Sequence, residues 1–228
     1  MRDYSFAGDN ELREDGSNLS SVLAKLCKQE QMKQSLLDFI RSLPEQDITD
    51  ISFISTERSD VMVRLHESFG NKEQKIDAPL LSDGTLRVLS VGAVLLSAPE
   101  KSLVVIEEVD NGIHPSRADF LVKQIQNIVS RRGLRVLISS HNPALLDAVP
   151  DTALGDVLCC YRNPEDGSSR IVRLADMKRF PELVAQGSLG QLMTSNRLKK
   201  FLKDTTSEEK RKQAALSWLE QLSRETAV

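Results

Sequence analysis

Glu107 and Glu108 stand side by side directly after the apolar run Leu-Val-Val-Ile, residues 103–106. Such a run reads as a strand buried on both faces, and open α/β sheets bind ligands at the C-terminal edge of their strands. Two acids there suit phosphoryl transfer to water. One supports a magnesium ion, and the other orients or deprotonates the attacking water. Adjacent side chains on a regular strand point to opposite faces, but the chain turns at a strand's end, so both can serve one site. The plainer reading is a solvated strand end with incidental charges.

Two further segments have chemistry of the same kind. In LISSHNPALLD, residues 137–147, a second apolar run ends in Ser139, Ser140 and His141 before Pro143 opens a helix. A histidine at that edge could contact a γ-phosphate; the plainer role is a helix cap or a hydrogen-bonded core residue. In LLSDGTLR, residues 80–87, Ser82, Asp83 and Gly84 form a tight turn opening a helix. Free N–H groups at a helix start, with a serine hydroxyl, make an anion site, although Ser or Asp there serves equally as a simple N-cap.

In this order and spacing the segments resemble the ABC-type ATPase superfamily, and within it the SMC/RecF-like and OLD-like branch. The resemblance rests on LSDGT, the EE strand, the NGIHP turn and the strand ending in SSH, within residues 81–150. It extends weakly to REDGSNLSSVL and to GSLGQLMTS. It implies that Ser82, Asp83 and Gly84 are the signature turn that contacts ATP held by an opposing subunit. Glu107 takes the Walker B position supporting Mg, where aspartate is more usual. Glu108 takes the place of the water-activating glutamate, and His141 that of the switch histidine. Asp110, Asn111 and Gly112 occupy the D-loop region. Arg87 reads either as a contact across the dimer or as a surface ion pair.

The P-loop pattern G-x-x-x-x-G-K-[ST], whose backbone N–H groups cradle phosphates, does not occur, and none of the eleven glycines precedes a lysine. Three explanations stay open: a split ATPase, a degenerate subunit acting only through its signature side, or a fragment. Intact Glu107, Glu108 and His141 count against degeneration.

The positioning elements follow from periodicity. Leu19, Val22, Leu23 and Leu26 share a helical face, with Ser17 or Asn18 as cap. Leu36, Leu37, Ile40 and Leu43 mark a second helix, stopped before Pro44. Residues 51–55 and 61–65 alternate as two strands, while 1–16 and 70–79 read as loops. Beyond them come a helix over 86–96, the strand 103–106, a helix from Pro115 to Arg131 ended by Gly133, a buried strand at 136–138 and a helix near Pro143. Strands at 157–161 and 171–174 flank the turn NPEDGSS, and residues 195–228 read as a helical tail. This alternation predicts an α/β fold with a mostly parallel sheet flanked by helices. The expected divisions are 1–80, a helical segment plus β excursion; 81–194, the ATPase C-terminal lobe; and 195–228, the tail.

Composition bounds the function. The formal charge of −3 over 228 residues argues against an autonomous nucleic-acid binder, leaving DNA contact through a local patch open. Cys27, Cys159 and Cys160 form no disulfide framework or metal spacing, and the apolar surroundings of Cys159 and Cys160 suggest buried thiols. No run approaches the ~18 apolar residues of a membrane span, and no signal-peptide core is present, so a cytoplasmic protein is expected. The expected function is an ATP-hydrolysing subunit using ATP and Mg. Its site would be completed by a P-loop-bearing lobe or subunit in a homo- or hetero-oligomer, in DNA repair or anti-phage defence. The alternatives are a non-enzymatic regulatory subunit docking on a complete ATPase and, less in keeping with NGIHP, a transporter's nucleotide-binding subunit.

Overall fold

The computed structural model describes residues 1–41, 47–70, 72–177, 179–204, 209, 213 and 216–218. The chain divides into two compact units, Met1–Pro150 and Asp151–Val228.

The first unit opens with β1 (Ser5–Phe6), α1 (Leu19–Leu26) and α2 (Glu30–Ile40). An antiparallel sheet follows, of β2 (Ile48–Ser55), β3 (Asp60–Phe69) and β4 (Lys72–Asp77), with β3 paired to β1, β2 and β4. Val63, Leu65 and Ile51 of the sheet pack with Leu19 and Leu23 of α1, and with Leu36, Phe39 and Ile40 of α2, in one hydrophobic core. Leu43 and Pro44, expected to end the second helix, lie outside the described residues.

Two stretches read as loops contain strands. β1 pairs only Ser5 and Phe6 with β3. β4, sequence KEQKID, shows no apolar alternation because it is a charged, mostly exposed edge, held by the ladder to β3 rather than by burial. Between the β1 and β4 pairings the Val63 N–H would be orphaned; the buried Ser20 hydroxyl accepts it at 3.0 Å. Asn18 stands at the N-cap of α1 without capping it. Its side chain instead accepts from Arg13 N and donates to Asp9 and the Glu11 carbonyl, which ties down the N-terminal segment.

α3 (Asp83–Ser97) comes next, then β5 (Leu103–Ile106), a 3-10 turn at Pro115–Arg117, α4 (Ala118–Arg132), β6 (Arg135–Ile138) and α5 (Pro143–Asp147). Gly133 ends α4 with φ of 62°, a left-handed cap. β5 and β6 pair in parallel, Leu103↔Arg135 to Ile106↔Ile138. The class is α/β, but among the described residues parallel pairing is confined to these two strands, and the other pairings are antiparallel. The antiparallel strands come from residues 5–6, 48–77 and 158–173, and the short hairpin connections within the last two stretches permit only antiparallel neighbours.

The expectation that β5 and β6 are buried on both faces is corrected. Val104 and Ile106 are in the core, whereas Leu103, Val105 and Leu137 are 56%, 59% and 50% exposed. A continuous apolar run records that both faces suit burial; here one face is covered.

The second unit begins with a 3-10 turn and the antiparallel hairpin of β7 (Leu158–Arg162) and β8 (Ser169–Arg173), around the expected turn. α6 (Phe180–Val184), α7 (Leu189–Thr194) and α8 (Arg197–Lys203) follow; most of the tail beyond lies outside the described residues. Arg179 stacks over the Phe201 ring at 5.0 Å and bonds Glu182 and Asp204. Cys160 is exposed and Cys159 half-buried, against the expectation of buried thiols, because a two-stranded hairpin leaves one face uncovered.

Candidate functional site

Strand β5 delivers the two carboxylates as the alternation predicts: Glu107 and Glu108 follow its last residue and are both exposed. Beside them β6 ends at Ile138, so Ser139, Ser140 and His141 emerge at the same edge. His141 Nδ1 lies 3.9 Å from Glu108 Oε1, with the side chains 77% and 53% exposed. In water so accessible, this pair adds little stability, and its interest is that it places both groups at one spot.

The backbone between them is unusual. Glu108 has φ of 45°, left-handed and rare for a residue with a long side chain. Its N–H donates to the Ser139 hydroxyl at 3.1 Å, and its carbonyl accepts from Asn111 N at 3.0 Å. Asn111 itself is exposed. Asp110 is 8% exposed, and its Oδ1 has no hydrogen-bond partner among the described residues.

The turn before α3 meets this cluster from the other side. Ser82 caps α3, accepting from Thr85 N at 3.0 Å and lying 2.8 Å from the Thr85 hydroxyl. The N-cap role is therefore filled. Asp83 is exposed and paired with Arg2 at 2.6 Å. Gly84 is buried against Gly112. Arg87 donates to the Glu107 carbonyl, a backbone contact and not the surface ion pair considered for it. All eight residues singled out for chemistry, Ser82, Asp83, Gly84, Glu107, Glu108, Asp110, Asn111 and His141, thus lie in the first unit.

Sequence reasoning placed Ser139 at the strand end without a role, and missed Arg87 as a backbone donor, Arg2 and Asn142, whose side chain caps α5 at 2.9 Å. Only Asn142 had a readable signal, standing just before Pro143. The carboxylate oxygens at 107 and 108 suit a hard divalent cation. Among the described residues no group of three or more His, Cys, Asp or Glu could hold a metal. A magnesium ion bound here would take its remaining ligands from phosphates and water, its usual habit.

A second polar trio lies on the antiparallel sheet. Ser52 Oγ is 2.7 Å from His66 Nε2, and His66 Nδ1 is 3.2 Å from Glu73 Oε1. All three sit on neighbouring paired strands, so the trio is a cross-strand polar clip.

The family model described as "AAA domain, putative AbiEii toxin, Type IV TA system" matches residues 7–147, more than half of the chain. The chain belongs to this ATPase-type family. The matched segment spans all eight residues singled out for chemistry, from Ser82 to His141. No curated protein matches the chain. Among solved structures the family member is similar to an SMC ATPase studied for ATP-driven dimerization and DNA-stimulated activation. The two share 10% identity with a TM-score of 0.47, over 81% of this chain and 99% of that one. It is also similar to an Smc head bound to the C-winged helix domain of ScpA, at 10% identity and TM-score 0.46, over 72% of this chain and 55% of that one. A third is the Smc head domain with a coiled coil and joint from Pyrococcus yayanosii, at 12% identity and TM-score 0.45, over 69% and 29%. Among the described residues no helix is long and apolar enough to cross a membrane.

Proposed function

We propose that this AAA-family chain supplies the water-activating and signature side of an ABC-type ATPase site, in the SMC/RecF-like and OLD-like branch. A P-loop-bearing lobe, from another chain or another segment, completes it. One observation carries the reading. Glu107 and Glu108 stand at the C-terminal end of a parallel strand pair whose second face, Leu103, Val105 and Leu137, is open. Parallel strands are covered on both faces in nearly all folds, so the catalytic edge and the open face point to the same missing neighbour.

In this reading Glu107 supports Mg beside the phosphates of ATP. A magnesium ion so held would neutralise charge building on the transferred phosphoryl group. Glu108 accepts a proton from the attacking water, and His141, within 4 Å of it, contacts the γ-phosphate. Ser82, Asp83, Gly84, Asp110 and Asn111 approach nucleotide held by an opposing subunit. Coupling to DNA repair or anti-phage defence rests on the resemblance to the DNA-linked branch, and a cytoplasmic site of action goes with it.

The test is ATP hydrolysis by the chain alone, with a P-loop polypeptide encoded beside it, and with Glu108→Gln in the mixture. The expected result is activity only in the mixture, lost by a factor of roughly 100 or more on substitution. Unchanged activity with Glu108→Gln sinks the catalytic assignment and favours the second reading, a regulatory subunit docking on a complete ATPase.

A further inference from the structure

Beyond Ile106↔Ile138 the parallel ladder does not simply stop. Ser139 N donates to the Ile106 carbonyl at 3.0 Å, the bond expected for Ser139 facing Glu107. The next regular bond would run from Glu108 N to the Ser139 carbonyl. Instead that carbonyl accepts from Val109 N at 3.4 Å, and the Glu108 N–H goes to the Ser139 hydroxyl at 3.1 Å. The register slips by one residue and Glu108 is the extra one, in the left-handed conformation at φ of 45°. This is the logic of a bulge, which re-aims a side chain by inserting a residue into one strand. Glutamate is a poor occupant of that conformation, which glycine or asparagine takes more readily. Something must over-determine it.

We propose that Ser139 is a positioning residue for Glu108. Its hydroxyl takes the amide that the ladder would otherwise claim, and so holds the bulge that brings the Glu108 carboxylate to His141. The proposal rests on the reading of Glu108 as the water-activating group for its effect on rate, but the bulge itself is measurable without it. The hydroxyl of Ser140, one residue on, is turned to its own loop, where it accepts from Asn142 N at 3.0 Å.

Two measurements test it on Ser139→Ala and Ser139→Thr. In the chain alone, a positive φ gives Glu108 a strong intraresidue HN–Hα NOE. That signal should weaken in Ser139→Ala and persist in Ser139→Thr, while amide spectra elsewhere report an intact fold. In the ATPase completed by its P-loop polypeptide, Ser139→Ala should lower kcat roughly 10- to 100-fold, the scale of a small misplacement of a reacting group. KM for ATP should change less than about twofold, Ser139→Thr should restore the rate, and Ser139→Ala should add no loss to Glu108→Gln. A Glu108 NOE unchanged in Ser139→Ala overturns the proposal, as does a weakened NOE with unchanged kcat. Activity insensitive to Glu108→Gln overturns the functional reading instead, and the NOE still decides what Ser139 does.

Discussion

Gly84 and Gly112 meet backbone to backbone: a Cβ built on Gly84 would lie 2.4 Å from the Gly112 carbonyl oxygen, and one on Gly112 would lie 2.7 Å from Gly84 Cα. The contact welds the turn that opens α3 to the turn that follows the carboxylates. Gly112 also sits at φ of 80°, where a side chain is strained. Gly84→Ala should therefore destabilise the chain by about 1–3 kcal/mol, the range for forcing extra atoms into a packed site. The loss should exceed the ~1 kcal/mol expected for deleting the Ser82 cap with Ser82→Ala. Thermal unfolding of both variants checks this, and a Gly84→Ala protein melting with the parent would show that the turns separate freely.

Glu108 should be a place where stability and activity oppose each other. Asparagine tolerates a left-handed backbone better than glutamate does. Glu108→Asn should raise unfolding free energy by about 0.5–1 kcal/mol in the chain alone. The same substitution should abolish hydrolysis by the completed ATPase. Denaturant titration gives the first number, and a loss of stability would argue that the carboxylate is itself well satisfied.

Glu67 is 2% exposed on β3, and its Oε1 lacks a partner among the described residues. Burial raises its pKa above the ordinary 4.5. The folded state thus holds this proton more tightly than the unfolded chain does. The favourable contribution is complete below the unfolded value and is lost as pH rises through the folded one. Glu67→Gln should stabilise at pH 7.5 by about 1 kcal/mol, and the gain should vanish near pH 4. A gain that persists unchanged in acid would trace to packing and not to ionisation.

The thiols should label in a fixed order. Burial pushes Cys27 up to about 11 and, with Cys160 adding to it, pushes Cys159 up to about 11. Both remain protonated at pH 8 and are shielded, whereas Cys160 is exposed. Iodoacetamide followed by peptide mass analysis should find Cys160 modified first. Early modification of Cys27 would mean that the α1–α2 region opens readily.

Val105→Thr together with Leu137→Gln should change the chain's own stability by less than about 0.5 kcal/mol, as exposed positions usually do. The pair should nevertheless weaken association with the P-loop lobe by a factor of ten or more, measured by co-purification or calorimetry. Undiminished association would place the docking surface elsewhere.

Much of the site was readable because its residues are neighbours in sequence. The apolar run 103–106 announced β5, and the run before Ser139 announced β6, so the acids and His141 had to emerge at strand ends. What escaped notice depends on relations no local pattern encodes. The left-handed turn at Glu108 is filled by a residue that does not advertise it, since glycine or asparagine would have. The hydroxyl of Ser139 matters through a bond to a residue 31 positions away. β4 escaped because its KEQKID sequence is held by pairing at a sheet edge. The open face of β5 escaped because Leu103 and Val105 look alike whether covered or bare.

The bare face has a consequence for the molecule's life in a cell. If the proposed P-loop lobe covers Leu103, Val105 and Leu137, a chain made in excess of that lobe shows chaperones and proteases the kind of surface by which they recognise incomplete proteins. Its abundance would then track that of its complement, and an unmatched copy would be cleared before it could accumulate.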